Sequence, residues 1–400
     1  MKITKVEVFR LPTAVSKTNS PIGCRIHTDE GIFGDGEAGI AYGVGGDGAW
    51  GVLCGLAELV IGMDPMQTEL IWETMYKKTF WGQNGGPMIF AGIAAIDIAC
   101  WDIKGKYFNV PVYQLLGGKV REKLRTYASQ LQFGWGDVHK GIEHLWAVTP
   151  EDYAYNTKLA IAEGFDAIKV DFFDRDEEGK PLHFLDQTGL LTPKQLKMVE
   201  SRMKAVREAA GDEVDIIMEN HSYPDALGAV QLSKLAEKYN IFAFEEPNTP
   251  TTQTSEYITK YTSVPIANGE RIFSRWQYAE YFKRNLIQLA QPDACNTGGI
   301  TETKKIADMA HAFDVGVQVH VAGSPLATNV ALTLECTMPN FLIHEHHTCN
   351  RMSTCLGLTK YNDQPENGYF TVPERVGIGN EWLQEAIDKA VLYRLVDQPR

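Results

Sequence analysis

Acids and histidines recur through the second half of the chain at a near-constant interval. Glu219, Glu245, Glu270, Asp293, His320 and Glu345 follow one another 23 to 27 residues apart. That is the length of one strand, one helix and two short loops. Each follows a short apolar run rich in β-branched residues: Val214 to Met218, Ile241 to Phe244, Val264 to Ala267, Leu286 to Ala290, Val315 to Val319 and Phe341 to Ile343. The pattern reads as functional groups at the C-terminal ends of successive parallel strands, the rim on which (β/α)8 barrels carry their active sites.

The residue types define a chemistry. Two like charges about 4 Å apart repel by roughly 4 kcal/mol at an effective dielectric of about 20. Glu219, Glu245 and Glu270 on consecutive strands therefore call for a cation or displaced pKa values. All-oxygen ligation favours Mg²⁺, which keeps positions open for substrate oxygens. Glu246, adjacent to Glu245, points to the other side, which leaves open which of the two is the ligand. Asp293, one strand before His320, can accept its ring N–H and raise its basicity. Period-two alternation puts His221 on the side of Glu219, as a further ligand, a prop for one, or an acid. Lys169 and Asp171 are also two apart; the lysine could hold a substrate carboxylate, act as a base or form a salt bridge. The run His344-Glu345-His346-His347 invites a zinc reading, yet it lacks the HExxH spacing and any cysteine pattern. Glu345 acting alone as a polar group in the mouth is favoured. There is no GxGxxG after a strand, no Walker loop and no GxSxG.

Elements must hold these groups in place. A barrel takes about 250 residues, so a chain of 400 leaves more than a hundred for something else. Residues 1–120 lack the strand–helix rhythm: Ile3 to Leu11 and Ile22 to Thr28 read as strands, Ile40 to Gly48 as a glycine-rich loop, and 49–62, 67–79 and 87–108 as helices. The predicted division is an α+β capping domain over 1–122, a barrel over 123–361 and a segment over 362–400 that returns to the cap. Leu124 to Ser129 and Ala167 to Val170 are the first two barrel strands. The segment 130–148 reads as a lid, an interface or a packed loop, and 173–192 as a polar insert on the substrate side or a disordered tip. Helices are placed near 151–163, 194–209, 226–239, 275–284, 302–313 and 325–334.

Composition narrows the class. A net charge of −13 without a Lys/Arg cluster argues against nucleic acid. Seven scattered cysteines without a CxxC imply reduced thiols rather than a disulfide framework. The N-terminus lacks the apolar core of a signal peptide, and no apolar run approaches the roughly 18 residues of a membrane span. A cytoplasmic protein without membrane association is expected.

Longer motifs carry a resemblance. MKITKVEVFRLP at the start, AGIAAIDIACWDIKGK at 91–106, PVYQLLGG at 111–118, FEEP at 244–247, ANGERIFSR at 267–275 and QPDACNTGGITETKKIADMA at 291–310 occur in this order. Together they resemble the enolase superfamily, in its mandelate-racemase-like branch, and most closely acid-sugar dehydratases of the galactonate dehydratase type. The resemblance implies a modified TIM barrel, (β/α)7β, with an N-terminal α+β capping domain, and a symmetric homo-oligomer. It implies Mg²⁺ on Glu219, Glu245 and Glu270, Asp293–His320 as the base dyad, Glu345 facing the substrate carboxylate and His221 as the acid. Lys169 joins the catalytic set, Asp171, Arg271 and His347 the substrate contacts, and loops near 14–50 close over the substrate. The implied reaction removes the proton α to a carboxylate and stabilises the resulting enediolate. Loss of the carbon 3 hydroxyl then gives a 2-keto-3-deoxy acid from a sugar acid such as galactonate, gluconate or a related aldonate. Racemisation is disfavoured, because Asp171 stands where a two-base racemase has its second lysine. Glu219 and Asp171 also depart from the galactonate dehydratase pattern, which has Asp and Asn there. Epimerisation or cycloisomerisation on the same enolate, or binding of an acid sugar without turnover, are the alternatives.

Overall fold

The computed structural model describes residues 1–12, 20–40, 42–136 and 146–400. Strands β1 (Ile3–Arg10), β2 (Ile22–Thr28) and β3 (Phe33–Ala38) form an antiparallel sheet. The chain's last strand, β13 (Leu392–Val396), joins it along β1, with Val6 opposite both Ile26 and Val396. Helices α1 (Gly46–Val60), α2 (Thr68–Lys78) and α3 (Pro87–Phe108) cover its inner face. Helix α3 starts with Pro87 in its first turn and stops at Asn109, whose left-handed backbone (φ 53°) ends it. It is apolar nearly all round because it lies between this sheet and the rest of the molecule. Gly34 and Gly36 admit it: a Cβ on either would collide with the carbonyl oxygens of Ala99 and Ala95.

From Lys123 onward the predicted rhythm appears as a barrel. Parallel strands β4 (Lys123–Ser129), β5 (Ala167–Asp171), β6 (Asp215–Glu219), β7 (Ala243–Glu245), β8 (Ile266–Asn268), β9 (Leu289–Ala290) and β10 (Gly316–Val317) pair in chain order, and β11 (His344–His347) pairs with β4. A parallel bridge between Val317 and Phe341 closes the ring. Among the described residues seven α-helices connect the eight strands, which makes the architecture (β/α)7β as expected. Strand β12 (Tyr369–Thr371) runs antiparallel along the entry end of β4, so the C-terminal segment touches the barrel before it reaches the cap.

Period-two alternation sorts the barrel residues. Ile168 and Val170 face the helices within the main apolar cluster, whereas Ala167 packs inside with Tyr127, Ile217 and Ile343. Lys169 and Asp171 continue that inner row toward the mouth. One helix escaped the sequence reading: Thr252–Tyr261 is helical although its sequence, TQTSEYITKY, buries only Ser255 and Ile258. Its threonines and tyrosines are poor helix formers, and its start is fixed by the Thr251 side chain accepting the Thr254 N–H. The insert after β5 is ordered. The buried Arg202 guanidinium donates to the carbonyls of Val148, Phe172, Arg175 and Asp176, pinning both ends of the turn. Of the segment 130–148, residues 137–145 lie outside the described residues, as do 13–19 and 41 of the early loops.

Cap and barrel are joined by polar contacts from α2 and α3. Asp97 accepts from the Thr301 N–H at 2.9 Å and from its hydroxyl at 2.6 Å, while the Trp101 indole donates to the same hydroxyl at 2.8 Å. Trp72 donates to the Gly298 carbonyl at 2.8 Å. Replacing Asp97 by Ala leaves the buried Thr301 N–H without an acceptor, a loss of about 1–3 kcal/mol. A lower urea midpoint for Asp97→Ala, measured by circular dichroism against the parent, is the expected outcome.

Candidate active site

Strand ends deliver the ladder residues to one end of the barrel. Glu219 and Glu245 are the last residues of β6 and β7, and their backbones are paired. Glu270 lies two residues beyond β8; Asp293 and His320 lie three beyond β9 and β10. Glu345 differs from expectation by sitting within β11, whose strand runs on through the histidines.

One carboxylate oxygen from each of Glu219, Glu245 and Glu270 falls within 4.8 Å of the others. Glu246 does not join them: it is buried and paired to Arg271, with its backbone turned to φ 44° just past the strand. Glu245 is therefore the member of the triad. All four ionic environments differ. Glu245 Oε1 meets Lys169 Nζ at 2.6 Å and its Oε2 accepts from Gln291 at 2.6 Å. Burial, with Glu219 and Glu345 close by, raises its pKa to about 7 against the pull of Lys169. Glu219 Oε2 accepts from Gln130 at 2.7 Å, while its buried Oε1 makes no hydrogen bond among the described residues and faces His221 Nε2 at 3.2 Å. Glu270 pairs with Arg271 and, at 2.7 Å, with His320 Nε2.

Lys169, fully buried, is shared by Glu219 (3.2 Å), Glu245 (2.6 Å) and Glu345 (2.8 Å). Burial opposes its charge, but these three carboxylates raise its pKa well above the ordinary value, so it stands as an ammonium and not as a free base. Glu345 is held besides by the Ser129 hydroxyl at 2.8 Å and the Val321 N–H at 3.0 Å. Burial notwithstanding, Lys169 and His320 keep it ionised well below the usual carboxylate range.

Two histidines each lean on an aspartate. His320 Nδ1 lies 2.8 Å from Asp293 Oδ2, and Asp293 Oδ1 is fixed by the Cys295 N–H at 2.7 Å. His221 Nδ1 lies 2.9 Å from Asp171 Oδ2, and its Nε2 is 3.2 Å from Glu219. His221 takes the left-handed backbone (φ 46°) where the chain turns off β6. Burial works against charge on both rings, yet the carboxylates prevail. Glu219 and Asp171 push His221 up to about 10, and Glu270, Glu345 and Asp293 hold His320 well above its ordinary value. Because β6 and β10 are four strands apart in an eight-stranded ring, the two imidazoles approach the carboxylates from opposite walls.

The remaining candidates separate by strand face. Arg271, half exposed, bridges Glu246 and Glu270. His347 shares the inner face with Glu345; burial lowers its pKa to about 4, and its Nδ1 accepts the Cys349 N–H at 3.0 Å. His344 and His346 face outward. The first is paired to Glu335 at 2.6 Å, the second packed among Trp135, Phe165 and Phe370. A shared zinc site through this run is thereby ruled out by alternation. Sequence reasoning missed the amides: Gln130, Gln132 and Gln291 tie the carboxylates and the Asp171 backbone together. Their signal was position alone, polar residues directly after an apolar strand. Among the described residues no helix is long and apolar enough to cross a membrane.

Residues 3–117 match the family model "Mandelate racemase / muconate lactonizing enzyme, N-terminal domain", and residues 152–386 match "Enolase C-terminal domain-like". A D-galactonate dehydratase from Ralstonia pickettii (strain 12J) is 32% identical over 396 residues, covering 97% of this chain and 93% of its own. One from Cronobacter sakazakii is 31% identical, covering 97% and 94%. Among solved structures, a protein from Zymomonas mobilis ZM4 superposes with a TM-score of 0.95 at 47% identity, and an enolase-superfamily member from Salmonella Typhimurium with 0.94 at 45%, each covering 99% of both chains.

The triad fits a hard divalent cation: three carboxylates converge, and the buried Glu219 Oε1 accepts no hydrogen bond among the described residues. Titrating Mg²⁺ calorimetrically, Glu219→Gln and Glu270→Gln are expected to weaken binding beyond the roughly 10–100-fold that removing an outer partner of a ligand costs, and Glu246→Gln much less. Since Glu245 gains a proton as pH falls through about 7, and a cation must displace that proton, affinity should drop below pH 7.

Proposed function

We propose, on the premise that the chain belongs to the mandelate racemase/muconate lactonizing enzyme family of the enolase superfamily, that it is a Mg²⁺-dependent sugar-acid dehydratase. Its substrate is an aldonate such as galactonate, gluconate or a related acid, and its product a 2-keto-3-deoxy acid. Support comes from the D-galactonate dehydratases it resembles along nearly its whole length. The observation that carries the reaction type is the pair of carboxylate-supported histidines on opposite walls of one carboxylate cluster.

In this reading Glu219, Glu245 and Glu270 would hold the cation. The chemistry a bound Mg²⁺ supplies is stabilisation of charge developing on the substrate carboxylate, together with an offset to the acidic field that raises both histidines. His320 Nε2 takes the proton from carbon 2, and Asp293 keeps the other ring nitrogen as the donor, fixing the tautomer. His221 delivers a proton to the hydroxyl leaving carbon 3. The enol then tautomerises to the keto acid. Glu345, immobilised by Lys169, Ser129 and Val321, presents a fixed wall to the reacting end. Asp171 orients His221 instead of serving as a second base. Arg271 and His347 remain at the rim as substrate contacts.

Incubation with a library of sugar acids, read out as keto-acid release, identifies the substrate; release from none of them in the presence of Mg²⁺ would favour binding without turnover. A product retaining the substrate's mass would select epimerisation or cycloisomerisation. His320→Asn is expected to abolish exchange of the carbon 2 proton with deuterated solvent, and persistent exchange overturns the base assignment. His221→Asn is expected to stop release of water while sparing that exchange.

A further inference from the structure

Beyond Val317 the chain carrying His320 leaves the regular ladder. Its even-numbered amides still reach back to the β9 side: Gln318 N–H donates to the Ala290 carbonyl at 3.0 Å and His320 N–H to that of Pro292 at 3.2 Å. Its odd-numbered amides face β11. The first, Val317, finds the Asn340 carbonyl at 2.9 Å. The next two find no backbone at all. Val319 N–H donates to Glu335 Oε1 at 2.9 Å, and Val321 N–H to Glu345 Oε2 at 3.0 Å. Two carboxylates thus stand in for the missing strand, bracketing His320 on either side of its own peptide.

Glu345 belongs to the site already described, but Glu335 does not. It is the last residue of the helix Pro325–Glu335, lies outside the barrel wall and is fully buried. Its second oxygen lies 2.6 Å from Nδ1 of His344, the outward-facing neighbour of Glu345, and neither side chain has any exposure. A carboxylate is suited to this place because both oxygens accept: one from a backbone amide, the other from an imidazole. The pair ties the Val319 amide, one residue before His320, to β11, where main-chain pairing between the two strands has stopped.

We infer that Glu335, held by His344, is a positioning residue for His320: it sets the height and direction of the imidazole through the Val319 amide. The inference rests on His320 being the base. A charge-assisted bond from an amide N–H to a buried carboxylate is stronger than a neutral one, and misplacing a reacting group by about 1 Å can cost on the order of 100-fold in rate. Glutamine at 335 keeps the shape but puts an N–H₂ toward one of two donors.

The test compares Glu335→Gln with the parent in deuterated solvent on a turned-over sugar acid. The expected result is a fall of roughly 10–100-fold in kcat for both carbon 2 exchange and water loss, with KM within about threefold, since the loss is confined to the step His320 performs. An unchanged kcat, or a KM raised as much as kcat falls, would overturn the inference. Should Glu335→Gln fail to fold, His344→Gln, which retains a donor toward Glu335, is expected to outperform His344→Leu in kcat; equal rates overturn it. If the parent turns over no sugar acid, the functional reading fails by itself. The ¹⁵N resonances of the His320 ring then decide: displaced by Glu335→Gln they support the positioning role, unmoved they refute it.

Discussion

The ammonium of Lys169, buried and divided among Glu219, Glu245 and Glu345, is the interaction on which the mouth of this barrel depends. Withdrawing one ion from water costs several kcal/mol even after relaxation, and here several carboxylates are withdrawn together. A lysine answers that demand in a way arginine cannot. Its three donors radiate from a compact charge and meet three carboxylates arriving from three strands, whereas a planar fork pairs with one or two. The residue also rises from the interior row of β5, directly above the apolar layer of Tyr127, Ala167, Ile217 and Ile343. The last dry layer of the barrel core is thus capped by a charge, and polar chemistry begins on top of it.

Around that charge the site is built from neutral amides and fixed peptides. Gln130, Gln132 and Gln291 spend their N–H groups on carboxylate oxygens, on one another or on the Gln318 amide oxygen. Each histidine has one nitrogen committed to an aspartate and the other aimed inward. Such an arrangement fixes orientation before any ligand arrives, which is the condition for electrostatic preorganisation. The cap contributes at the same level. Glu37, at the end of β3, accepts the Ser324 N–H at 3.0 Å, and Gly39 donates to the Cys295 carbonyl at 2.7 Å. The loops that follow Asp293 and His320 are therefore both braced by the N-terminal domain.

Much of the barrel was legible because its strands are buried on both faces and its helices on one, so periodicity survives in the sequence. The strands near Val214, Ile241, Val264, Leu286 and Val315 and six of the seven connecting helices follow that rule. The helix Thr252–Tyr261 escaped it because its stability comes from a threonine cap and tertiary contact instead of an apolar stripe. β11 was placed too early, at Phe341 to Ile343, since its actual residues His344–His347 are polar on both faces. Outward His344 and His346 are tolerated there because Glu335 and an aromatic cage, respectively, receive them.

By itself the sequence determined the spacing of the functional groups, and with it the barrel, the side of the barrel they occupy and their order around the ring. These follow from chain-local facts: strand length, alternation and the distance one helix spans. Only the tertiary structure decided which groups meet. It chose Glu245 over Glu246, turned Lys169 from a candidate base into a shared counter-ion, gave His221 an aspartate of its own and set Glu335 behind His320. Each of those choices is a contact between residues of different strands. Its partners are fixed by the register and closure of the ring, which no single segment of the chain encodes.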